Sequence, residues 1–396
     1  MKSVLKLGIT LCLFFVLLAS CQKEILTEEL SLQENASTLD LADEADEVAV
    51  LEKSYLGKAS GGVYVMDNDP AGNHILAFSR RPNGSLSGPI TYATGGAGSG
   101  AGLGSQGSII TNGPFVFVVN AGSNEISVFF AIGSRLRLLD KVDSKGIQPT
   151  SLALHGRTLY VLNAGGEGNI AGFRLDRRAR LTYIEGSKQS LSSASAAAAQ
   201  IAFNSAGNTL VVTERATNLI TTFEVDYNGV ASPGNSFPSA GVTPFGFEFS
   251  KSGQFIVSEA AGGAAGASTI SSYSLGNNAN VSLLEGPVAT NQTAACWLVV
   301  SNNGRYAYTT NTGSASVSGF RVGNGGELEL LNESGVAGTT GAGPIDLDFS
   351  QNSKFLYTIN NGDDSISMFA VHVDGSLTHI GEVTGLPATS LGLAAQ

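Results

Sequence analysis

The chain reads as an all-β protein: a seven-bladed β-propeller whose ring is closed by a C-terminal strand completing blade one. Three observations predict this. A short apolar strand ending in Asn or an acidic residue, followed by a strand ending in an aromatic, recurs along the chain. Clear copies are Leu159-Tyr160-Val161-Leu162-Asn163 before Gly168-Asn169-Ile170-Ala171-Gly172-Phe173, and Leu356-Tyr357-Thr358-Ile359-Asn360 before Ser365-Ile366-Ser367-Met368-Phe369. The strand-ending residues Asp67, Asn120, Asn163, Glu214, Glu259, Asn311 and Asn360 are spaced by 43 to 53 residues, near the length of one four-stranded blade. The repeat region carries no long amphipathic helical pattern; its strands favour Val, Ile, Thr, Tyr and Phe, and 50 Gly supply turns. Finally, the first repeat begins abruptly at Gly62-Val63-Tyr64, while Thr389-Ser390-Leu391-Gly392-Leu393 copies the innermost-strand pattern Thr150-Ser151-Leu152-Ala153-Leu154. The chain end therefore supplies the missing strand and removes two exposed sheet edges.

Taken in order, residues 1–20 form a basic start, Met1-Lys2-Ser3-Val4-Leu5-Lys6, and an apolar run from Leu7 to Leu18 that is too short to span a bilayer. Leu18-Ala19-Ser20-Cys21 resembles the bacterial lipobox, which implies cleavage before Cys21 and thioether lipidation of its sulfur. The expected partner is then a membrane, held through acyl chains on Cys21, each buried CH₂ worth about 0.8 kcal/mol. Residues 21–60 follow as a flexible acidic tether. Between 22 and 60 there are ten Asp or Glu, three Lys and few aromatics, which leaves too little apolar surface to offset the entropy of ordering. Gln22-Lys23-Glu24 resembles surface-export signals of some Gram-negative lipoproteins. The expected location is the cell envelope, on the periplasmic side of the outer membrane or at the cell surface.

Residues 61–396 are the propeller. In the last repeat, Ile345–Ser350, Phe355–Asn360, Ile366–Val371 and Leu377–Val383 read as four strands, with Asp374-Gly375 turning the final hairpin. Asn83-Gly84 and Gly325-Gly326 do the same in the first and sixth repeats. Gly95 to Gly107 has glycines at phosphate-loop-like offsets, but Ile109-Ile110-Thr111 after it is a strand rather than a helix start, so it reads as a flexible inter-blade loop. His74, His155, His372 and His379 have no metal-ligand spacing, and Cys296 reads as a small buried hydrophobe. No metal, cofactor or nucleophile-elbow motif is expected. The net charge of −11 argues against nucleic acid, and the one basic cluster, Arg174, Arg177, Arg178 and Arg180, reads as a solvated hairpin tip.

Units such as Asn303-Gly304-Arg305-Tyr306-Ala307-Tyr308 and Asp374-Gly375-Ser376-Leu377 resemble the seven-bladed lactonase-type propellers, which include 6-phosphogluconolactonase and carboxymuconate-cyclising branches. Tyr308-Thr309-Thr310-Asn311 is also similar to the Tyr-Val-Thr-Asn propeller repeats. The resemblance covers about residues 62 to 396 and implies a site of one His, two Arg and one Glu at the central mouth. Here Thr150 stands where the His would follow Pro149, Ala199 and Gln200 stand at the first Arg and its neighbouring His, and the second Arg falls at Glu259 or Ala260. Glu214 is the one candidate for the catalytic carboxylate, and a gap-free register puts Arg215 there instead. One matched residue of four does not make a hydrolytic site, so lactone hydrolysis is the secondary expectation, with a purely structural envelope module as a third.

The leading expectation is binding at the central face of a small polar ligand, a glycan or a partner protein. The second-strand ends and the innermost-strand starts, Ser108, Ser151, Gln200, Trp297, Asp346 and Ser390, fall on that face. The expected ligand-binding residues are Asp67, Asn163, Glu214, Glu259, Trp297 and Asp346: an acidic rim suited to a cation or a hydrogen-bond-donating ligand, with Trp297 as stacking platform. The opposing reading has these polar residues capping turns and Trp297 packed between blades.

Overall fold

The computed structural model describes residues 61–396; the lipobox, Cys21 and the tether lie outside the described residues. Seven antiparallel sheets form the ring. Blade 1 comprises Gly62–Met66, His74–Arg80 and Leu86–Ala93, and blade 2 runs Ile109–Asp143. Blades 3 to 7 span Ile147–Ser190, Ala198–Pro238, Pro244–Ala289, Ala295–Thr339 and Pro344–Thr384. Within the described residues, helix is limited to three 3₁₀ turns. Leu391–Ala395 is the innermost strand of blade 1, pairing antiparallel with Val63–Met66, so the ring closes as the sequence pattern requires.

Burial grades outward across each blade. Second strands such as Tyr306–Asn311 are buried at every position, whereas outer strands such as Leu377–Thr384 alternate into solvent. The tyrosines of the repeat stitch neighbouring blades together. Tyr160, Tyr308 and Tyr357 each donate through the phenol to the carbonyl of the next blade's hairpin glycine: Gly229 at 2.7 Å, Gly375 at 2.7 Å and Gly84 at 2.8 Å. Gly84 combines a φ of +86° with a Cβ position 2.3 Å from the Phe355 ring, so a side chain there meets both strain and a clash. Burial pushes the Tyr308 phenol far above its ordinary range, as expected for an enclosed donor.

A second set of links runs around the axis. Ser151 accepts from the Ile201 amide at 3.2 Å. The Gln200 amide group accepts from Phe247 N at 2.7 Å and donates to Phe247 O at 2.9 Å. Glu248 accepts from Val300 N, Asp346 from Leu393 N at 3.0 Å, and Asp348 from Ala395 N at 2.8 Å. In each case an innermost-strand side chain reaches the backbone of the next blade. The closing strand is thus fixed on one edge by its ladder and on the other by two blade-7 carboxylates.

Candidate functional site

The strand-end residues do not form a rim. Each turns into its own hairpin and holds the following strand. Asn360 donates to Ser365 and Ser367 at 2.8 and 2.9 Å, and Asn311 to Ser316 and Ser318 at 3.0 and 2.9 Å. Asn163, fully buried, donates to Ser144 O and Asn169 Oδ1, both at 3.0 Å. Asp67 accepts from the His74 amide at 2.8 Å and pairs with its ring at 2.8 Å.

Glu214 has 0% exposure and accepts four hydrogen bonds, from Ser192 N at 3.1 Å, Ser192 Oγ, Thr217 Oγ1 at 2.9 Å and Thr221 Oγ1 at 2.8 Å. Glu259, also at 0%, accepts from Gly241 N at 2.9 Å, Thr269 Oγ1 and Tyr273 OH. Burial, reinforced by the Glu259 charge, pushes the Tyr273 phenol up to about 12. These carboxyl groups are clasps, satisfied by local donors because a polar group this deep must be hydrogen-bonded.

Trp297 is not an open platform. It is 7% exposed, packs against Phe245 with ring centroids 4.7 Å apart, and donates Nε1–H to Ser105 O at 2.8 Å. That contact shows what covers the mouth. The glycine-rich segment read as a flexible loop is a strap across the innermost strands. Ser105 Oγ donates to Thr150 O at 2.8 Å, Gln106 N to Ala199 O at 3.0 Å, and the Gln106 side chain exchanges both bonds with Leu298, at 2.8 and 2.9 Å. Blades 3, 4 and 6 are thereby joined over the axis. The glycines serve close approach: a Cβ on Gly98 would lie 2.0 Å from the Asn68 carbonyl carbon.

Thr150 and Ala199 have 0% exposure and Ala260 5%, so no polarising group stands at those mouth positions. The basic group at the mouth is Arg215. Its Nε donates to Ala197 O at 2.9 Å, its guanidinium lies over the Phe245 ring at 5.2 Å, and Gly104 of the strap abuts it. Burial lowers its pKa, and Cys296 is its neighbour. Burial pushes the Cys296 thiol up to about 12, against opposing effects of Thr312 and Arg215, so it is an inert buried thiol.

Below the strap lies an axial cavity of about 580 Å³ lined by innermost strands. It contains Asp346, which sequence reasoning put on the rim, and two carboxyls that reasoning missed, Glu248 and Asp348. Among the described residues no Lys or Arg lines it. Burial pushes Glu248 up to about 8, opposed by the Val300 amide and reinforced by Asp348. Burial likewise pushes Asp348 up to about 7 and Asp346 well above the carboxylate range. Among the described residues no group of three His, Cys, Asp or Glu is placed to hold a metal ion.

A family model described as lactonase, 7-bladed beta-propeller, matches residues 167–275 and 265–386. Several solved structures share the fold at low identity. A Bacteroides fragilis protein described as a 6-phosphogluconolactonase is 19% identical over 85% of this chain and 98% of its own, with TM-score 0.65. The periplasmic gluconolactonase of Pseudomonas aeruginosa is 18% identical over 83% and 97%, with TM-score 0.63. A Lactobacillus plantarum protein is 15% identical over 85% and 99%, with TM-score 0.66. Among curated proteins, none matches the chain.

Proposed function

This chain belongs to the family of lactonase-type seven-bladed β-propellers, and from that premise we propose that it is a lipid-anchored envelope protein whose central mouth binds a ligand without opening a lactone ring. The observation that carries this reading is the state of Glu214. A general base needs a carboxylate oxygen within reach of water or substrate. Both Glu214 oxygens are engaged by Ser192, Thr217 and Thr221, and the residue has no exposure. The small side chains of Thr150, Ala199 and Ala260 give a developing oxyanion no charged donor. The strap over the axis further restricts approach to the positions where that chemistry would occur.

Glu214→Gln tests the reading. The amide oxygen can keep Ser192 N and Thr221 Oγ1, while the N–H₂ meets the Ser192 and Thr217 hydroxyls, which must turn from donors into acceptors. The expected result is a stability loss of about 1–3 kcal/mol, with lactone opening at the uncatalysed rate in both proteins. Catalysed opening in the parent that the variant loses at unchanged stability would make Glu214 a base and overturn the proposal.

A further inference from the structure

We propose that the face of the ring opposite the strap is a docking surface for an anionic lipid bilayer, which sets the propeller down on the membrane that Cys21 ties it to. The inference deepens the lipid-anchored reading and rests on it. It starts from connectivity. In a four-stranded antiparallel blade, the turn from innermost to second strand and the turn from third to outer strand lie at one end. The strap, which leads from an outer strand into the next blade, lies at the other. Exposed cations gather at the turn end. Arg81, Arg135, Arg157, Lys251, Arg305 and Lys354 stand on or beside its turns in blades 1, 2, 3, 5, 6 and 7. Blade 3 adds Arg177 and Arg178 at the hairpin tip. Among the described residues none of these forms an ion pair. The acids of this end are fewer, and most are folded into their own hairpins. Asp176 accepts from Arg178 N at 2.8 Å, Asp226 from Asn228 N at 2.9 Å, Asp374 from Ser376 N at 3.0 Å and Glu327 from Gly325 N at 3.0 Å. Glu329 pairs with Arg321, and Glu224 is left over. The strap end has the opposite sign: Asp143, Glu167 and Asp363 are exposed there against Lys188 and Lys145, and Lys145 already pairs with Asp143 at 3.6 Å.

Two further observations point the basic face at a bilayer. The most exposed large apolar side chains among the described residues, Tyr227 at 93% and Val373 at 94%, are both hairpin tips of this face, on blades 4 and 7. Neither buries its apolar surface within the ring, and both are placed to enter the headgroup layer, where the amphipathic ring of Tyr is favoured. The chain also enters the propeller here. Gly62 opens the second strand of blade 1 at this end, with its Cβ position 2.7 Å from Gly133 O of the blade-2 hairpin. The segment leading back to Cys21 therefore starts from the face that would meet the lipid. Attraction of each cation to an anionic surface fades within a Debye length. The face thus orients the ring while the acyl chains hold it, and by itself the contact is lost in a salt wash.

The test is co-sedimentation of the unlipidated chain from Gln22 onward, which keeps every residue of the ring. One set of vesicles holds equal parts phosphatidylglycerol and phosphatidylcholine, the other phosphatidylcholine alone. The chain should pellet with the anionic vesicles, less at about 300 mM than at about 50 mM NaCl, and stay in solution with the neutral ones. Arg177→Gln combined with Arg178→Gln should lower the bound-to-free ratio about thirtyfold. Lys145→Gln combined with Lys188→Gln removes the same charge from the opposite face and should leave binding unchanged. Tyr227→Trp should emit further to the blue on anionic vesicles, a change the native Trp297 does not mask because it is already buried. Unfolding midpoints check that each variant keeps its fold. No preference for the anionic vesicles, equal losses in the two double variants, or an unshifted emission from Tyr227→Trp overturns the inference. The anchor and the face fail separately: Cys21→Ser protein that stays with membranes through a salt wash sinks the lipid anchor, whereas absent vesicle binding sinks the face alone.

Discussion

Replacing Glu248 by Gln should stabilise the propeller, and by an amount that grows with pH. Glu248 lines the axial cavity and accepts from Val300 N, with no Lys or Arg among the described lining residues to offset its charge. One blade earlier Gln200 holds the corresponding link, accepting from Phe247 N and donating to Phe247 O. A glutamine at 248 can therefore keep the bond to Val300 while removing the charge. The sign follows from proton counts. Burial raises the Glu248 pKa from 4.5 to about 8, so between those values the folded chain holds a proton that the unfolded chain has released. The favourable contribution is complete below pH 4.5 and declines as pH rises through 8. One such group costs up to about 1.4 kcal/mol per pH unit in that window. Water entering the cavity screens the charge, so a working figure at pH 8 is about 2–3 kcal/mol. The assay is thermal unfolding of parent and variant at pH 5 and pH 8. The variant should gain several degrees at pH 8 (~2–4 °C per kcal/mol) and little at pH 5. A lower midpoint at pH 8, or the same shift at both pH values, would refute the reasoning.

The other predictions concern the two ends of the chain. Cys21→Ser should release the protein from the membrane fraction into the soluble one; a variant that stays membrane-bound removes the lipid anchor from the account. Truncation before Leu391 should lower the unfolding midpoint by tens of degrees or cause aggregation, because it strips the ladder from Val63–Met66 and leaves Asp346 and Asp348 without the Leu393 and Ala395 amides. A truncated chain that melts like the full one would contradict the closure.

The blades were legible because their signals are local. Alternating strands, the Asp374-Gly375 and Asn83-Gly84 turns, and the match of 389–393 to 150–154 all lie within a few residues of what they specify. The site was legible only in part. Asn360 with Ser365 and Ser367, Asn311 with Ser316 and Ser318, Asn120 with Ser127, and Glu214 with Thr221 share polar residues five or seven places on, and that spacing encodes the hairpin clasp. It was the available sign that these ends face inward. The axial carboxyls also left a trace: Phe247-Glu248-Phe249 and Leu347-Asp348-Phe349 set an acid between apolar residues of an innermost strand. The strap left none, since the Gln106 link to Leu298 joins residues 192 positions apart and its glycines look alike whether they allow motion or close approach.

The proposal that this lactonase-family propeller binds at its mouth without opening a lactone is open to a direct kinetic test. The most direct measurement is the rate of 6-phosphogluconolactone opening with the purified chain in molar excess over the lactone, where even a slow site would act on every molecule. The account predicts a first-order rate equal to the spontaneous one and independent of protein concentration. A rate that rises with protein concentration and returns to background in Glu214→Gln would contradict it.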